Sequence, residues 1–287
     1  MKRIKSFSLY ESSSDEFDDV IRLAFGPFTK DSEGYHFEED VYARKPNIQD
    51  AIDKGILPSN SLEKLPIKIA SVKKGLKIYD LGLETLEGCP ENVPHNFDCS
   101  GNQLRDLKNG PSFVGDTYSC HRSSLVSLEG SPFQVTSFYV ESNLLRNLSG
   151  GPRRVLRNLY LDRNPLTSLV GIPEFIGGTL SLTECNLLNS LNGLHMNIGK
   201  VMTSWFSCDW DLKSIMEKLE SNLGTEGKAY LLTFFEERDL DPQEEKTLID
   251  NWDLVKSIYE KSGGTPEKRI RLSPDSLMLI KARSKFY

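Results

Sequence analysis

Residues 83–104 read LETLEGCPENVPHNFDCSGNQL, and residues 125–145 read LVSLEGSPFQVTSFYVESNLL. Both carry Leu-x-x-Leu, a glycine, a proline, a valine, an alternating apolar pair and an asparagine, in that order. Leu-x-x-Leu recurs at Leu62/Leu65, Leu83/Leu86, Leu104/Leu107, Leu125/Leu128, Leu145/Leu148, Leu166/Leu169 and Leu188/Leu191. The steps between first leucines are 21, 21, 21, 20, 21 and 22. A step held that closely makes the repeat the feature from which the fold is read.

The other columns keep phase with the leucines. Glycine follows the second leucine at Gly88, Gly110, Gly130, Gly150, Gly171 and Gly193, and proline lies four residues after it at Pro90, Pro111, Pro132, Pro152 and Pro173. A β-branched residue comes next (Val93, Val114, Val135, Val155, Ile176), then the alternating pair: Phe97/Cys99, Tyr118/Cys120, Phe138/Val140, Leu159/Leu161 and Leu180/Leu182. The pair has period two, so its members face one side of a short strand and the residues flanking them face the other. Proline and glycine on the return segment exclude a long helix there. Asparagine closes the unit at Asn102, Asn143, Asn164 and Asn186, with Ser123 standing in once; a buried amide there satisfies backbone groups of the neighbouring turn. Units of this size cannot bury an apolar face alone, so they stack, each touching only its neighbours, with a parallel sheet along one face.

These segments resemble the short, roughly 21-residue leucine-rich repeats, and within them the leucine-rich repeat proteins encoded by large tailed phages. The resemblance covers about residues 60 to 200 and departs from the pattern at Leu81, Ser123 and Leu194. It implies an α/β leucine-rich repeat solenoid with short parallel strands on a concave face, an N-terminal cap and a C-terminal helical segment. On this reading the chain divides into a leader (1–14), a mixed helical cap (15–60), a solenoid of about seven units (61–204), a helical bundle (205–265) and a basic tail (266–287).

The flanks are read from their own patterns. In DEFDDVIRLAFG, residues 15–26, Phe17, Val20, Ile21, Ala24 and Phe25 have helical spacing and Gly26-Pro27 ends the helix. The stretches 209–224, 227–239 and 242–264 each predict a helix, with Trp205, Phe206 and Trp210 at the joint to the last repeat. The tail carries Lys268, Arg269, Arg271, Lys281, Arg283 and Lys285 against Glu267 and Asp275, a local charge of +4 in a chain of −6. It is read either as a contact for nucleic acid or an acidic partner, or as a solvated basic face.

The 287 residues include 41 acidic and 35 basic side chains and 38% hydrophobic ones, which excludes wholesale disorder and makes the chain as a whole a poor nucleic-acid binder. No run approaches the length of a spanning helix. The five cysteines contain no Cys-x-x-Cys, and Cys99 and Cys120 fall in the inward column, as small core residues. No phosphate loop, paired-histidine metal motif or nucleophile elbow is present, so neither enzyme activity nor a cofactor or metal is expected. Bacterial effector ubiquitin ligases join leucine-rich repeats to a domain with a Cys-x-Asp motif. Cys208-Asp209-Trp210-Asp211 departs from it, and the chain that follows is too short for their catalytic domain.

Binding is expected on the strand face, at outward residues that can vary without disturbing the core. Tyr79, Asp98, His121, Tyr139, Glu141, Tyr160 and Asp162 are the candidates; Tyr139 and Tyr160 share a column one repeat apart, with Glu141 and Asp162 beside them. The resulting expectation is a non-enzymatic scaffold that recognises a protein with a basic or apolar surface in the host cytoplasm, in a takeover or anti-defence role. The alternative is a virion-internal protein: MKRIKSFSLYESS resembles a phage capsid-targeting leader, with cleavage after Glu11 at Leu9-Tyr10-Glu11.

Overall fold

The computed structural model describes residues 14–188, 198–203, 242–250, 252–261 and 270–283. Its centre is a solenoid of parallel strands. The main ladder runs through β3 (Val41–Tyr42), β5 (Leu76–Lys77), β7 (Phe97–Asp98), β9 (Thr117–Ser119), β11 (Ser137–Tyr139), β13 (Leu159–Tyr160), β14 (Phe175–Leu182) and β15 (Ile198–Thr203), every pair parallel. From β5 onward each register step equals one repeat, as in Phe97 against Tyr118 and Phe138 against Leu159. A second parallel ladder follows the β-branched column. It consists of β6 (Asn92–Val93) with β8 (Phe113–Val114), and β10 (Gln134–Val135) with β12 (Arg154–Val155) and the start of β14. The return segment expected to be extended therefore hydrogen-bonds as strands, because Val93, Val114, Val135, Val155 and Ile176 all turn into the core.

The inward columns make that core. Phe97, Tyr118 and Phe138 stack edge to face across successive turns, with centroids 4.9 and 5.4 Å apart, a geometry that adds to their area burial. Cys99 and Cys120 are fully buried beside them, and desolvation pushes both thiols well above the ordinary range. That disfavours the thiolate, so these are packing residues.

The asparagine column ties the turns together. Asn102 Oδ1 accepts from the backbone N–H groups of Leu81, Gly82 and Leu83 at 3.1, 2.9 and 3.0 Å, while its Nδ2 donates to the carbonyls of Ile78 and Cys99 at 2.8 Å each. Asn143 and Asn164, one turn apart, keep the two carbonyl contacts and each accept from one backbone N–H, that of Leu125 or Leu145. Asn186 does not belong to it. It is exposed, and buried Cys185 holds the position, its Sγ donating to Leu161 O at 3.3 Å. The column advances 21 residues from Asn164 to Cys185, whereas the leucines advance 22, and this extra residue misplaced the sequence assignment.

Ser123 marks the weak turn. Its Oγ is buried without a hydrogen-bond partner. In Ser123→Asn the amide would reach the same carbonyl positions, those of Cys99 and Cys120, that its neighbours use. The substitution should raise stability by about 1 kcal/mol, read as a higher urea midpoint at unchanged m-value; a lower midpoint would refute the ladder as the source of turn stability.

Two backbone features were not visible in the repeat. The residue before the asparagine column is left-handed in every turn: Asp80, Gly101, Arg122, Ser142, Arg163 and Glu184 have φ between 50 and 68°. Only one is glycine. The N–H groups of Asp80, Gly101, Arg122, Ser142 and Arg163 each donate to a carbonyl just past the strand of the next turn, so bonding between turns holds the strained geometry. The glycine column also needs correcting, because Asn109, not Gly110, takes the left-handed position with φ 62°. In that column a Cβ on Gly130 would lie 2.3 Å from the Leu107 carbonyl carbon.

Helix α1 (Ser14–Phe25) ends as expected, with Gly26 at φ 106° donating to Arg22 O. It packs on α2 (Lys45–Asp53) and on β3. The segment 15–60 is not wholly separate from the solenoid: Val41 is buried and Tyr42 outward, so β3 continues the alternation of the main ladder one strand N-terminal to the first recognisable repeat. β1 (Thr29–Lys30), β2 (Tyr35–Phe37) and β4 (Ile69–Val72) form a small sheet beside it. In the C-terminal part, the stretch read as one helix over 242–264 contains two, α3 (Pro242–Asp250) and α4 (Trp252–Lys261). α5 (Pro274–Arg283) follows Ser273, whose Oγ accepts from Ser276 N, and it packs on α3.

Candidate functional site

The outward face of the main ladder has three columns set by strand register, one of them carrying Thr117 and Ser137. The central one runs Tyr42, Lys77, Asp98, Ser119, Tyr139, Tyr160, Ser181. Two residues further along each strand lies the next: Tyr79, Ser100, His121, Glu141, Asp162, Thr183.

Tyr139 and Tyr160 lie directly opposite in the ladder and their rings stack, with centroids 4.7 Å apart and planes 17° from parallel. Both are half-buried. Burial, then the partner ring and the carboxylates of Asp162 and Glu141, push the Tyr160 hydroxyl pKa up. Glu141 is half-buried beside the stack. One of its carboxylate oxygens, Oε2, is sealed from solvent without a hydrogen-bond partner, and desolvation holds the pKa above the ordinary carboxylate range against the weaker pulls of its own backbone N–H and of His121.

The other candidates divide. Asp162 Oδ1 accepts from Thr183 N at 2.7 Å and from Ser181 Oγ, and Asp98 Oδ1 accepts from Ser100 N at 3.0 Å. Asp162 therefore braces the following turn and Asp98 holds the backbone at the end of its own strand, and the expectation that outward residues vary without structural cost fails for both. Ser100, Ser137 and Ser181 are buried despite facing outward, for the same reason of cross-strand packing. His121 Nδ1 hydrogen-bonds Ser100 Oγ at 2.9 Å. Tyr79 is 45% exposed but three strands from Tyr139, about 14 Å at the spacing of a parallel ladder, so it does not join the pair. The residue that sequence reasoning missed is Tyr42, which opens the central column and takes Lys77 Nζ over its ring at 4.6 Å. Only its Val41/Ala43 flanks hinted at a strand, without the leucine signature.

Of the basic tail, Arg271 is exposed, and Lys281 and Arg283 fall in the last turns of α5. Lys268, Arg269 and Lys285 lie outside the described residues, as do the leader with Glu11, the aromatics Trp205, Phe206 and Trp210, and Cys208. Among the described residues no helix is long and apolar enough to cross a membrane.

No family model, curated protein or solved structure matches the chain.

Proposed function

We propose that the chain is a protein-recognition scaffold of the short leucine-rich repeat type, of tailed-phage origin, which binds a host protein through the outward face of the main ladder. The stacked Tyr139–Tyr160 pair carries this reading. Two tyrosines held by a rigid parallel sheet present a large amphipathic surface at little entropic cost, which is how interface hot spots are built. The flanking Glu141 and Asp162 favour a partner with a basic contact surface. The repeat columns support the family assignment, and the phage origin rests on the motif resemblance alone.

Both tyrosines can be truncated without opening the core, since the inward side is filled by Phe138, Val140, Leu159 and Leu161. With the tagged full chain expressed in phage-infected cells, the partner is the protein recovered in stoichiometric amount and confirmed by binding of the purified pair. The double variant Tyr139→Ala/Tyr160→Ala should weaken that binding by about 30-fold or more at near-unchanged thermal stability. Binding that survives the double variant would refute the strand-face reading.

A further inference from the structure

We propose that the Tyr139–Tyr160 stack and Glu141 together form a seat for one arginine side chain of the partner. The inference rests on the recognition reading above and adds the chemistry of its central contact.

Elsewhere among the described residues, four aromatic rings receive a cation from the chain itself. Arg22 lies over Phe28 at 4.3 Å, Lys30 over Tyr35 at 4.9 Å, Lys77 over Tyr42 at 4.6 Å and Arg154 over Phe175 at 5.0 Å. The last two pairs lie on the two ladders of the solenoid itself, each joining residues opposite one another in register. The Tyr139–Tyr160 stack sits in the same column as Tyr42 and Lys77, yet among the described residues no cation covers it. The local field nevertheless favours one. The negative faces of two rings are adjacent, and Glu141 and Asp162 stand two residues along the same strands on the same face.

Glu141 supplies the second demand. Asp162 is already bonded to Thr183 N and Ser181 Oγ, whereas among the described residues the buried Oε2 of Glu141 lacks a donor. A carboxylate out of water without donors is unfavourable, and an incoming N–H group relieves it. The terminal torsion of glutamate is broad, so the carboxyl turns to present either oxygen at little cost.

One group meets both demands. A guanidinium is planar, stacks flat on a tyrosine ring, and still projects N–H donors in its plane towards a carboxylate beside that ring. An ammonium is a compact, strongly hydrated point charge that offers no planar stack. The occupant is therefore arginine in preference to lysine.

The test uses the full chain with 13C-labelled tyrosine rings, assigned through Tyr139→Phe and Tyr160→Phe. The probes are N-acetyl-arginine amide, N-acetyl-lysine amide and the neutral isostere N-acetyl-citrulline amide. Arginine amide should move the Tyr139 and Tyr160 signals saturably, with a Kd on the order of a few millimolar. Lysine amide should bind about three-fold or more weakly, and citrulline amide should leave the signals in place. Glu141→Gln should weaken the arginine amide by about five-fold or more while the contacts between the two rings persist. Equal response to arginine and citrulline, an unchanged Kd in Glu141→Gln, or unmoved signals at about 20 mM arginine amide, several times the expected Kd, would each overturn the seat. If partner binding depends on the tyrosines while the arginine probe fails, the seat is wrong and the recognition reading stands. If the probe binds but partner binding ignores the tyrosines, the seat stands and the recognition reading falls.

Discussion

Phe138→Ala should lower the unfolding free energy by about 4 kcal/mol. The side chain has no solvent exposure, its ring meets that of Tyr118 edge to face at 5.4 Å, and Leu159 lies opposite it on the next strand. Truncation removes the transfer energy of the ring and leaves a cavity that a strand pinned on both sides cannot close. The position also lies mid-stack. In a linear array each turn is held only by its neighbours, so weakening one interface uncouples the turns on either side. Urea unfolding followed by circular dichroism should therefore show a lower midpoint and a broadened transition, the mark of lost two-state behaviour. Phe133→Ala, at a ring 65% exposed on the outer surface, should change stability by no more than about 0.5 kcal/mol. A loss below about 1 kcal/mol in Phe138→Ala would mean that the inward aromatic column does not hold the stack.

Asn102→Ala should be nearly as costly, at about 4 kcal/mol, for a different reason. The side chain is 3% exposed and makes five hydrogen bonds to backbone groups of two turns. Alanine leaves the N–H groups of Leu81, Gly82 and Leu83 and the carbonyls of Ile78 and Cys99 with lost partners in a dry interior, and each orphan costs about 1–3 kcal/mol before relaxation. Asn102→Asp separates acceptor from donor. An ionised carboxylate keeps the three N–H bonds but faces the Ile78 and Cys99 carbonyls without a donor, so its pKa should rise above that of the unfolded chain. A group with a raised folded pKa favours folding below the unfolded value and loses that contribution as pH climbs through the folded one. The deficit of Asn102→Asp against the parent, in paired urea titrations, should therefore shrink as pH falls from about 7 to about 4. A deficit that is flat across that range would show that the two donor bonds contribute little.

The 21-residue step, the inward pairs and the buried valines were legible because a period-two alternation and the need to bury one side are local properties. Asn102, Asn143 and Asn164 were legible because a polar residue recurring beside core positions has one economical use, bonding backbone. The misreadings have equally physical causes. Asn186 was preferred to Cys185 because asparagine is the stronger chemical signal, yet the 21-residue advance placed a thiol at that carbonyl. The left-handed residues carried no glycine signature, since Asp80, Arg122, Ser142 and Arg163 are held there by backbone bonds to the adjacent turn. Val41–Tyr42 was missed because a strand of two residues has no periodicity to detect, and it is recruited by the edge of β5.

The candidate site shows the same division. That Tyr139, Glu141, Tyr160 and Asp162 face away from the core was determined by the sequence alone, as the alternation requires it. Three things were decided only by the tertiary structure: the stacking of the tyrosine rings, the use of Asp162 as a brace and the burial of Glu141 Oε2 without a donor. Each depends on which residue of the next turn lies opposite, and that is set by parallel strand register and side-chain packing between turns about 21 residues apart, not by the order of residues within one turn.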